Sequence, residues 1–501
     1  SDVINERNNV LIDGDRIKGT INLKGLRFDD ISLKDYRQTV DKNSDNVNLL
    51  NPSVAIKAYF ADFGWIGDGT KPDSNSIWNT NSRTLTSDSP IFFTWDNGEG
   101  LLFSREVSID ENYMFTVKQR VENNSTEAVT MATYGRIYRE GGIEGPAMFI
   151  LHQGPLRVGD EGKEEITFKD LQEEVFEKEE VTEGGWVGIT DKYWLVALVP
   201  DQDKKFVTNI SHTAQNGGDQ FHVNFATKGA AIAPGASIEK TSRFFAGAKE
   251  VDLLDYYTEV GGIKMFDYAI DWGWLHFITK PIYIGLDFFY HLVGNFGIAI
   301  LLLTIIIKGL LFPMANKQYE SMGRMKKLQP KMKALKEKYG DDKARMQQET
   351  MKLYKDEKVN PLASCLPIFI QIPIFFSLYK VLYVTIDMRQ APFFGWIKDL
   401  SAPDPMIVTN LFGLIPWDPP TFLAIGILPI FMGITMYIQQ KLNPPMADPI
   451  QQKVFTLMPI MFTFILAGFS VGLVIYWTWN NILTICQQWF IMRRVAAKTD
   501  T

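Results

Sequence analysis

Cysteine is almost missing from the sequence: 501 residues hold two, Cys365 and Cys486, both inside apolar runs of the second half. No disulfide can staple the first half, and cysteine usage leaves the compartment open. Histidine is nearly as scarce, at five, and no Cys/His cluster has metal-ligand spacing, which speaks against a catalytic zinc. The GxxxxGK[ST] phosphate cradle is missing too, so nucleotide hydrolysis has no support. No cofactor or direct nucleic-acid site is expected. A basic-then-apolar leader is also lacking: the chain opens Ser1-Asp2-Val3, which implies either a leader already removed or an N-terminal anchor left out.

What is present falls into two parts, as the length already suggests. Residues 1–265 carry 28 Lys+Arg against 42 Asp+Glu, whereas residues 266–501 carry 23 against 16. An acidic half followed by a basic, apolar half implies two environments.

Residues 1–250 read as β structure. Tyr113, Phe115, Val117 and Val121 alternate with Lys118 and Arg120, and similar short runs recur at Ile91–Trp95, Leu101–Ile109, Ala128–Tyr138 and Tyr193–Val199. Turn formers separate them: Asp96-Asn97-Gly98, Asn123-Asn124-Ser125, Gly184-Gly185 and Pro234-Gly235. Many short strands so punctuated predict a large antiparallel β-sandwich. The acidic stretch 160–183 (Glu164, Glu165, Glu173, Glu174, Glu179, Glu180) reads as a solvated excursion. Residues 251–294 read as a linker and an amphipathic helix. His276, Lys280, Asp287 and His291 fall in a narrow arc among aromatic and aliphatic residues, which suits a helix lying in a membrane interface. Pro281 is expected to weaken or split it, and a lid packed on the first domain is the plainer alternative.

Residues 295–501 hold five apolar segments, about 295–313, 361–385, 421–440, 454–468 and 470–491. At 1.5 Å per residue the second and fifth can cross ~30 Å of hydrocarbon; the first is marginal and the fourth short. Prolines 367, 373, 429 and 459 lie inside them, as bundled spans tolerate. The segment 314–360 is rich in lysine and arginine, the C-terminus ends in Arg493, Arg494 and Lys498, and the loop 386–420 has only Arg389 and Lys398. Basic loops stay cytoplasmic, so 314–360 and the C-terminus are expected inside and residues 1–294 outside.

Lys308 sits inside the first span, about one turn from its cytoplasmic end, with Thr304 four residues earlier on the same face. A lysine at a span centre costs ~2.5–3.5 kcal/mol and normally faces protein or water; the alternative is snorkelling to the inner headgroups. Gln371 interrupts the second span, and Tyr476, Trp477, Trp479, Asn480, Asn481, Gln487 and Gln488 mark the fifth. Singly these suit interhelical hydrogen bonds; with Lys308 they suggest a wet groove. In 314–360, Met322, Met325, Leu328, Met332, Leu335 and Tyr339 form one apolar stripe on a basic helix, Gly340-Asp341-Asp342 turns the chain, and a second helix runs to about Lys358. Pro330 is expected to kink or divide the first. A methionine-rich stripe suits varied apolar peptides; equally, it can pack the two helices together.

The stretch from Asp271-Trp272-Gly273-Trp274 to about Arg494 resembles the YidC/Oxa/Alb insertase family in its Gram-negative form. The resemblance rests on Leu328-Gln329-Pro330-Lys331, Tyr339-Gly340-Asp341-Asp342-Lys343, Lys358-Val359-Asn360-Pro361-Leu362, Cys365-Leu366-Pro367, Gln371-Ile372-Pro373-Ile374-Phe375, Arg389-Gln390-Ala391-Pro392-Phe393, Asp399-Leu400-Ser401, Asp448-Pro449, Met458-Pro459 and Gly472-Leu473-Val474-Ile475-Tyr476-Trp477. The first domain is more weakly similar, through Gly184-Gly185-Trp186-Val187, to the family's periplasmic β-sandwich. The resemblance implies a five-helix transmembrane bundle with a cytoplasmic helical hairpin. It also implies a hydrophilic groove open to cytoplasm and lipid, in a protein of the bacterial inner membrane. It implies nascent membrane proteins and the lipid bilayer as partners, with the Sec translocon (SecYEG, SecDF) and the ribosome beside them. The family's charged groove residue is commonly arginine, and the matching position here is Lys308; Thr304, Gln371 and Trp477 match other groove or substrate-contact positions. Lysine keeps the charge but loses the planar fork. The family's usual N-terminal anchor helix is not in this sequence, and the C-terminal tail is short.

The expected function is therefore insertion of nascent membrane proteins without bond-making chemistry. Two alternatives stand beside it. A secondary transporter could use Lys308 as a site, although such proteins usually carry internal repeats, which these spans lack. A carbohydrate-binding or sugar-modifying sandwich could be anchored by the spans, supported only by fold likeness and scattered acids such as Glu140, Glu144 and Asp191.

Overall fold

The computed structural model describes residues 9–53, 55, 57–142, 151–173, 178–215, 218–339, 342–357, 366–417, 419–420, 423–443 and 449–497. Two compact units emerge, one of residues 1–271 with 384–386, the other of 272–383 with 387–501.

In the first unit the described residues form an eleven-stranded and a nine-stranded sheet. Alternation explains how they close on one another. Strand Met114–Asn123 turns Phe115, Val117, Gln119 and Val121 inward, and it pairs on one side with Leu101–Ile109 and on the other with Ser237–Ala248. Phe115 and Phe244 from one sheet meet Phe28 and Phe63 from the other, with Phe28–Phe115 centroids 5.2 Å apart and Phe63–Phe244 6.0 Å apart. Strands Trp186–Thr190 and Trp194–Val199 are buried almost throughout, and their sequences are apolar apart from the terminal Thr190. Pairing is antiparallel as expected, with one exception: Leu11–Ile12 runs parallel to Thr84–Leu85.

Two features of this unit differ from the sequence reading. The acidic stretch is built into the sandwich: Lys178–Glu183 pairs with the strand Lys205–Gln215, and buried Arg157 bridges Glu164 (2.5 Å) and Glu180 (2.8 Å). Acidic composition concealed this because two of the charges, Glu164 and Glu180, are compensated by a residue outside the stretch; Glu174 lies outside the described residues. Helix α1 (Phe168–Glu173) contributes Phe168, which packs on Phe221 at 4.5 Å. The compact unit also continues past residue 250. Helix α2 (Val251–Glu259) and the turn Phe266–Ala269 dock on the sandwich through Tyr257, Phe245, Phe266 and Trp186.

The second unit is helical: α3 (His276–Val293), α4 (Phe296–Leu310), α5 (Phe312–Tyr339), α6 (Lys343–Asp356), α7 (Leu366–Val384), α8 (Ile427–Leu442), α9 (Pro449–Leu466) and α10 (Val471–Ala497). Pro281 neither ends nor divides α3. This helix has three faces: Thr279, Ile282, Tyr283 and Leu286 are buried, and His276, Lys280, Asp287 and His291 form the polar edge. Phe277, Ile284, Phe288 and Leu292 form an exposed apolar strip. Gly294 takes φ 67° at the end of α3, and Asn295 caps α4 by accepting from the Ile298 amide at 3.1 Å.

No single described helix is long and apolar enough to cross a membrane; α4 and α5, meeting at a 65° bend, satisfy length and composition only together. Helix α10 has the length, 27 residues, but Asn480, Asn481, Gln487 and Gln488 dilute its hydropathy. The expected second span begins at 361, and residues 361–365 lie outside the described ones.

Outside α8, two aspartates organise the connecting loop. Asp399 accepts from the Gln390 and Ser401 amides at 2.9 and 2.8 Å. Buried Asp404 accepts from Trp396 Nε1 (3.0 Å), the Met406 amide (3.1 Å) and the Leu428 amide (2.8 Å), so it caps α8 from outside the helix. Gly426 makes room, since a Cβ there would lie 2.5 Å from the Asp404 side chain. In the hairpin, Pro330 sits within a continuous α5, and Asp342 caps α6 at the Arg345 amide.

Candidate functional site

Helix α10 carries two polar stripes, and they have different fates. Asn481 and Gln488 face α8: Asn481 Nδ2 donates to Thr435 Oγ1 at 3.2 Å, and Gln488 Nε2 donates to the Leu442 carbonyl at 3.2 Å. These are the interhelical hydrogen bonds expected of polar residues in a bundle. Asn480, Thr484 and Gln487, spaced by four and three, form the second stripe and line a cavity of about 140 Å³. Lys308 and Leu311 at the end of α4, Gln318 and Tyr319 of α5, Gln371 of α7 and Gln439 of α8 complete much of its wall. Since one water needs roughly 10–15 Å³ of such space, the cavity has room for several.

Lys308 stands at the centre of this arrangement. Its Nζ donates to Thr484 Oγ1 at 2.9 Å, and Thr484 in turn donates to the Asn480 carbonyl at 2.6 Å. The side chain therefore bonds across to α10 and does not extend along its own helix. Gln487 Nε2 reaches the Lys308 carbonyl at 3.4 Å. No acidic residue lines the cavity among the described residues, so Lys308 supplies its only formal charge there. Asn480 Oδ1 is buried without a hydrogen-bond partner among the described residues. An orphan amide oxygen beside an ammonium fits a wet cavity whose remaining partners are water or substrate.

The residues singled out from the sequence separate accordingly. Lys308, Gln371 and Asn480 line the cavity together. Tyr476 is one step back, its hydroxyl accepting from Gln371 Nε2 at 3.0 Å. Thr304 does not join them: it is buried, and its hydroxyl donates to the Ile300 carbonyl of its own helix at 2.6 Å. Trp477 packs edge-on against Phe375 at 4.7 Å, within the apolar cluster around Met432, Leu466 and Val474. In the hairpin, Met322 is buried against Tyr319 and Ile491, and Leu328 is also buried, so neither is available as a receiving surface. Packing claims Met322 because it sits where α5 leans on α10. Met325, Met332 and Leu335 stay half-exposed.

Gln487, one of the polar residues that mark the fifth span, does line the cavity, whereas Thr484, Gln439 and Gln318 were not singled out. The signal for Thr484 was present in its helical spacing from Asn480; nothing in the sequence aligns Gln439 or Gln318 with them.

Comparison with known proteins decides the family. A profile described as the 60Kd inner membrane protein matches residues 288–498, and one described as the YidC periplasmic domain matches residues 9–284. The membrane protein insertase YidC of Rickettsia rickettsii (strain Iowa) is 49% identical over 485 residues, covering 96% of this chain and 87% of that protein. The chain belongs to the YidC membrane protein insertase family. YidC of Methylobacterium sp. (strain 4-46) is 47% identical over 502 residues, covering 98% of this chain and 80% of that protein. A crystal structure of an active YidC insertase with its first transmembrane domain resolved aligns over 95% of this chain and 91% of that one, at 18% identity and TM-score 0.41. Members of this family are inner-membrane proteins with a periplasmic domain, so the β-sandwich followed by a helical bundle is the family's arrangement. Matches across nearly the whole chain disfavour both the transporter and the anchored sugar module.

Proposed function

We propose that this insertase uses the Lys308 cavity to draw a short polar flank of a nascent membrane protein partway across the bilayer, with no bond-making chemistry. The observation that carries this is a half-buried ammonium, bonded to Thr484 at 2.9 Å, in a polar cavity without a lining carboxylate among the described residues. An acidic group in the flank would find there the counter-charge the protein itself does not provide. At 4 Å such a pair is worth about 1 kcal/mol in water and about 4 at an effective dielectric constant of 20, before desolvation is subtracted. A cavity reaching partway through the apolar layer shortens the path the polar flank must cross. The substrate's apolar segment then leaves for lipid, gaining about 0.8 kcal/mol per buried CH₂, so release runs downhill without a nucleotide.

In this reading the β-sandwich lies in the periplasm, and the basic hairpin and C-terminus face the cytoplasm. Met325, Met332 and Leu335 contact the incoming chain as the ribosome or the Sec translocon delivers it. The exposed apolar strip of α3 rests in the interface.

Replacement of Lys308 tests the reading. Lys308→Ala should impair insertion of Sec-independent substrates, and Lys308→Arg should preserve most of it. Equal, full activity of both variants would remove the charge from the mechanism.

A further inference from the structure

The strand Tyr59–Gly67 pairs along its whole length with Val129–Glu140, but on its other edge it meets Arg27–Arg37 at a single pair, Phe28↔Ala61. The sheet is therefore split beyond that point. Side chains of the facing sheet bond to the strand there: Arg105 Nη2 donates to the Phe63 carbonyl at 2.6 Å, and Gln119 Nε2 donates to the Gly64 carbonyl at 3.1 Å.

The split opens a small cleft of about 20 Å³, lined by Arg27, Arg105 and Arg136 together with Asp62, Trp78 and Tyr134. Three guanidiniums converge there. Asp62 is taken by Arg136 at 2.5 Å, and the second lining carboxylate, Asp73, accepts at one oxygen from Asn75 and Ser76 of its own turn at 2.9 Å. Arg105 is 2% exposed, and both its Nε and its Nη1 lack a hydrogen-bond partner among the described residues. The Nε atoms of Arg27 and Arg136 are orphaned in the same way. A buried guanidinium with unspent donors is costly unless an acceptor satisfies it. Burial pushes Arg105 down to about 10, so it keeps its charge at neutral pH.

We propose that this cleft in the β-sandwich binds a carboxylate group. The fork of a guanidinium matches two carboxylate oxygens, and the cleft has room for one small group with the rest of its molecule extending outward. A single negative charge is preferred over a dianion, because the second Asp62 oxygen is also buried and unpartnered nearby. Trp78, with the Arg105 guanidinium 5.2 Å from its ring centroid, closes one wall against water. The site lies wholly within the first unit and does not depend on the Lys308 reading.

Calorimetric titration of the full chain in detergent micelles, at fixed ionic strength, tests this. The probes are sodium acetate, a short neutral peptide with a free C-terminal carboxylate, and the same peptide amidated. Acetate should bind saturably, at least tenfold more weakly in Arg27→Gln, and not at all in Arg105→Met. If Arg105→Met does not fold, Arg27→Gln carries the test, since Arg27 is half-exposed. Tighter binding of the free-carboxylate peptide than of acetate would identify chain termini as the source; equal binding would identify small free acids. Absence of saturable binding, wild-type affinity in Arg27→Gln, or equal binding of the amidated peptide would overturn the proposal.

Discussion

Replacing Thr484 by valine removes one oxygen and keeps the side-chain volume, which isolates what that oxygen does for Lys308. The hydroxyl accepts from Nζ at 2.9 Å and donates to the Asn480 carbonyl at 2.6 Å. A hydrogen bond to a charged group is worth about 1.5–3 kcal/mol net. Water can enter a cavity of about 140 Å³ and take over part of the bond, so about 1 kcal/mol of coupling between Lys308 and Thr484 is expected to survive. A double-mutant cycle of Thr484→Val and Lys308→Met, read by reversible unfolding in micelles, measures it. Thr484→Val should cost about 1 kcal/mol more with Lys308 present than with methionine there. Thr484→Val should also lower insertion of an acidic-flanked substrate more than that of a neutral-flanked one. Equal costs in both backgrounds would mean that Lys308 is not held by α10 and reaches headgroups instead, and the groove mechanism would lose its anchor.

Other perturbations have equally definite outcomes. Asp404→Ala leaves Trp396 Nε1 and the Met406 and Leu428 amides without their acceptor. It should destabilise the helical unit by about 1–3 kcal/mol and open the loop to trypsin at Lys398, checked by melting and limited proteolysis. Burial pushes His152 below the usual imidazole range, while its Nε2 donates to the Pro155 carbonyl at 3.0 Å. A histidine depressed in the folded state takes up protons on unfolding, so stability is full above the unfolded value near 6.5 and falls as pH drops below it. Denaturant midpoints of the β-sandwich at pH 7 and 5 should show that loss, and His152→Gln should reduce it.

The strands were legible because alternation of apolar and polar residues is a local property. Leu101–Ile109 matches its expected bounds, and the run at Ile91–Trp95 extends by one residue to Asp96. The two-residue strands Asn79–Thr80 and Thr84–Leu85 carry no such pattern, and the parallel pairing of Leu11–Ile12 depends on which distant strand lies alongside. The continuity of α3 through Pro281 was not legible either. Proline at this interior position forfeits a bond to the Phe277 carbonyl and costs about 3 kcal/mol, which packing of Ile282, Tyr283 and Leu286 offsets. At the candidate site, Lys308, Gln371 and Asn480 stood out as polar residues in apolar runs. Thr304 stood out equally, yet a threonine in a helix can satisfy itself on the carbonyl four residues back, as it does here at 2.6 Å. Sequence shows that a residue is polar; only packing shows whether its hydrogen bonds are already spent. The methionine stripe makes the same point, since Met322 and Met325 share a pattern but only Met322 lies under α10.

The central claim is that a passing chain enters the Lys308 cavity, and a photo-crosslinking amino acid at Gln487 tests it most directly. Stalled nascent membrane proteins are presented to the insertase in vesicles, with the same probe at Ile460, exposed on α9, as the comparison. The probe at Gln487 should capture the polar flank of the substrate, and the probe at Ile460 should capture lipid or the apolar segment. Capture of the flank at Ile460, with none at Gln487, would contradict the account.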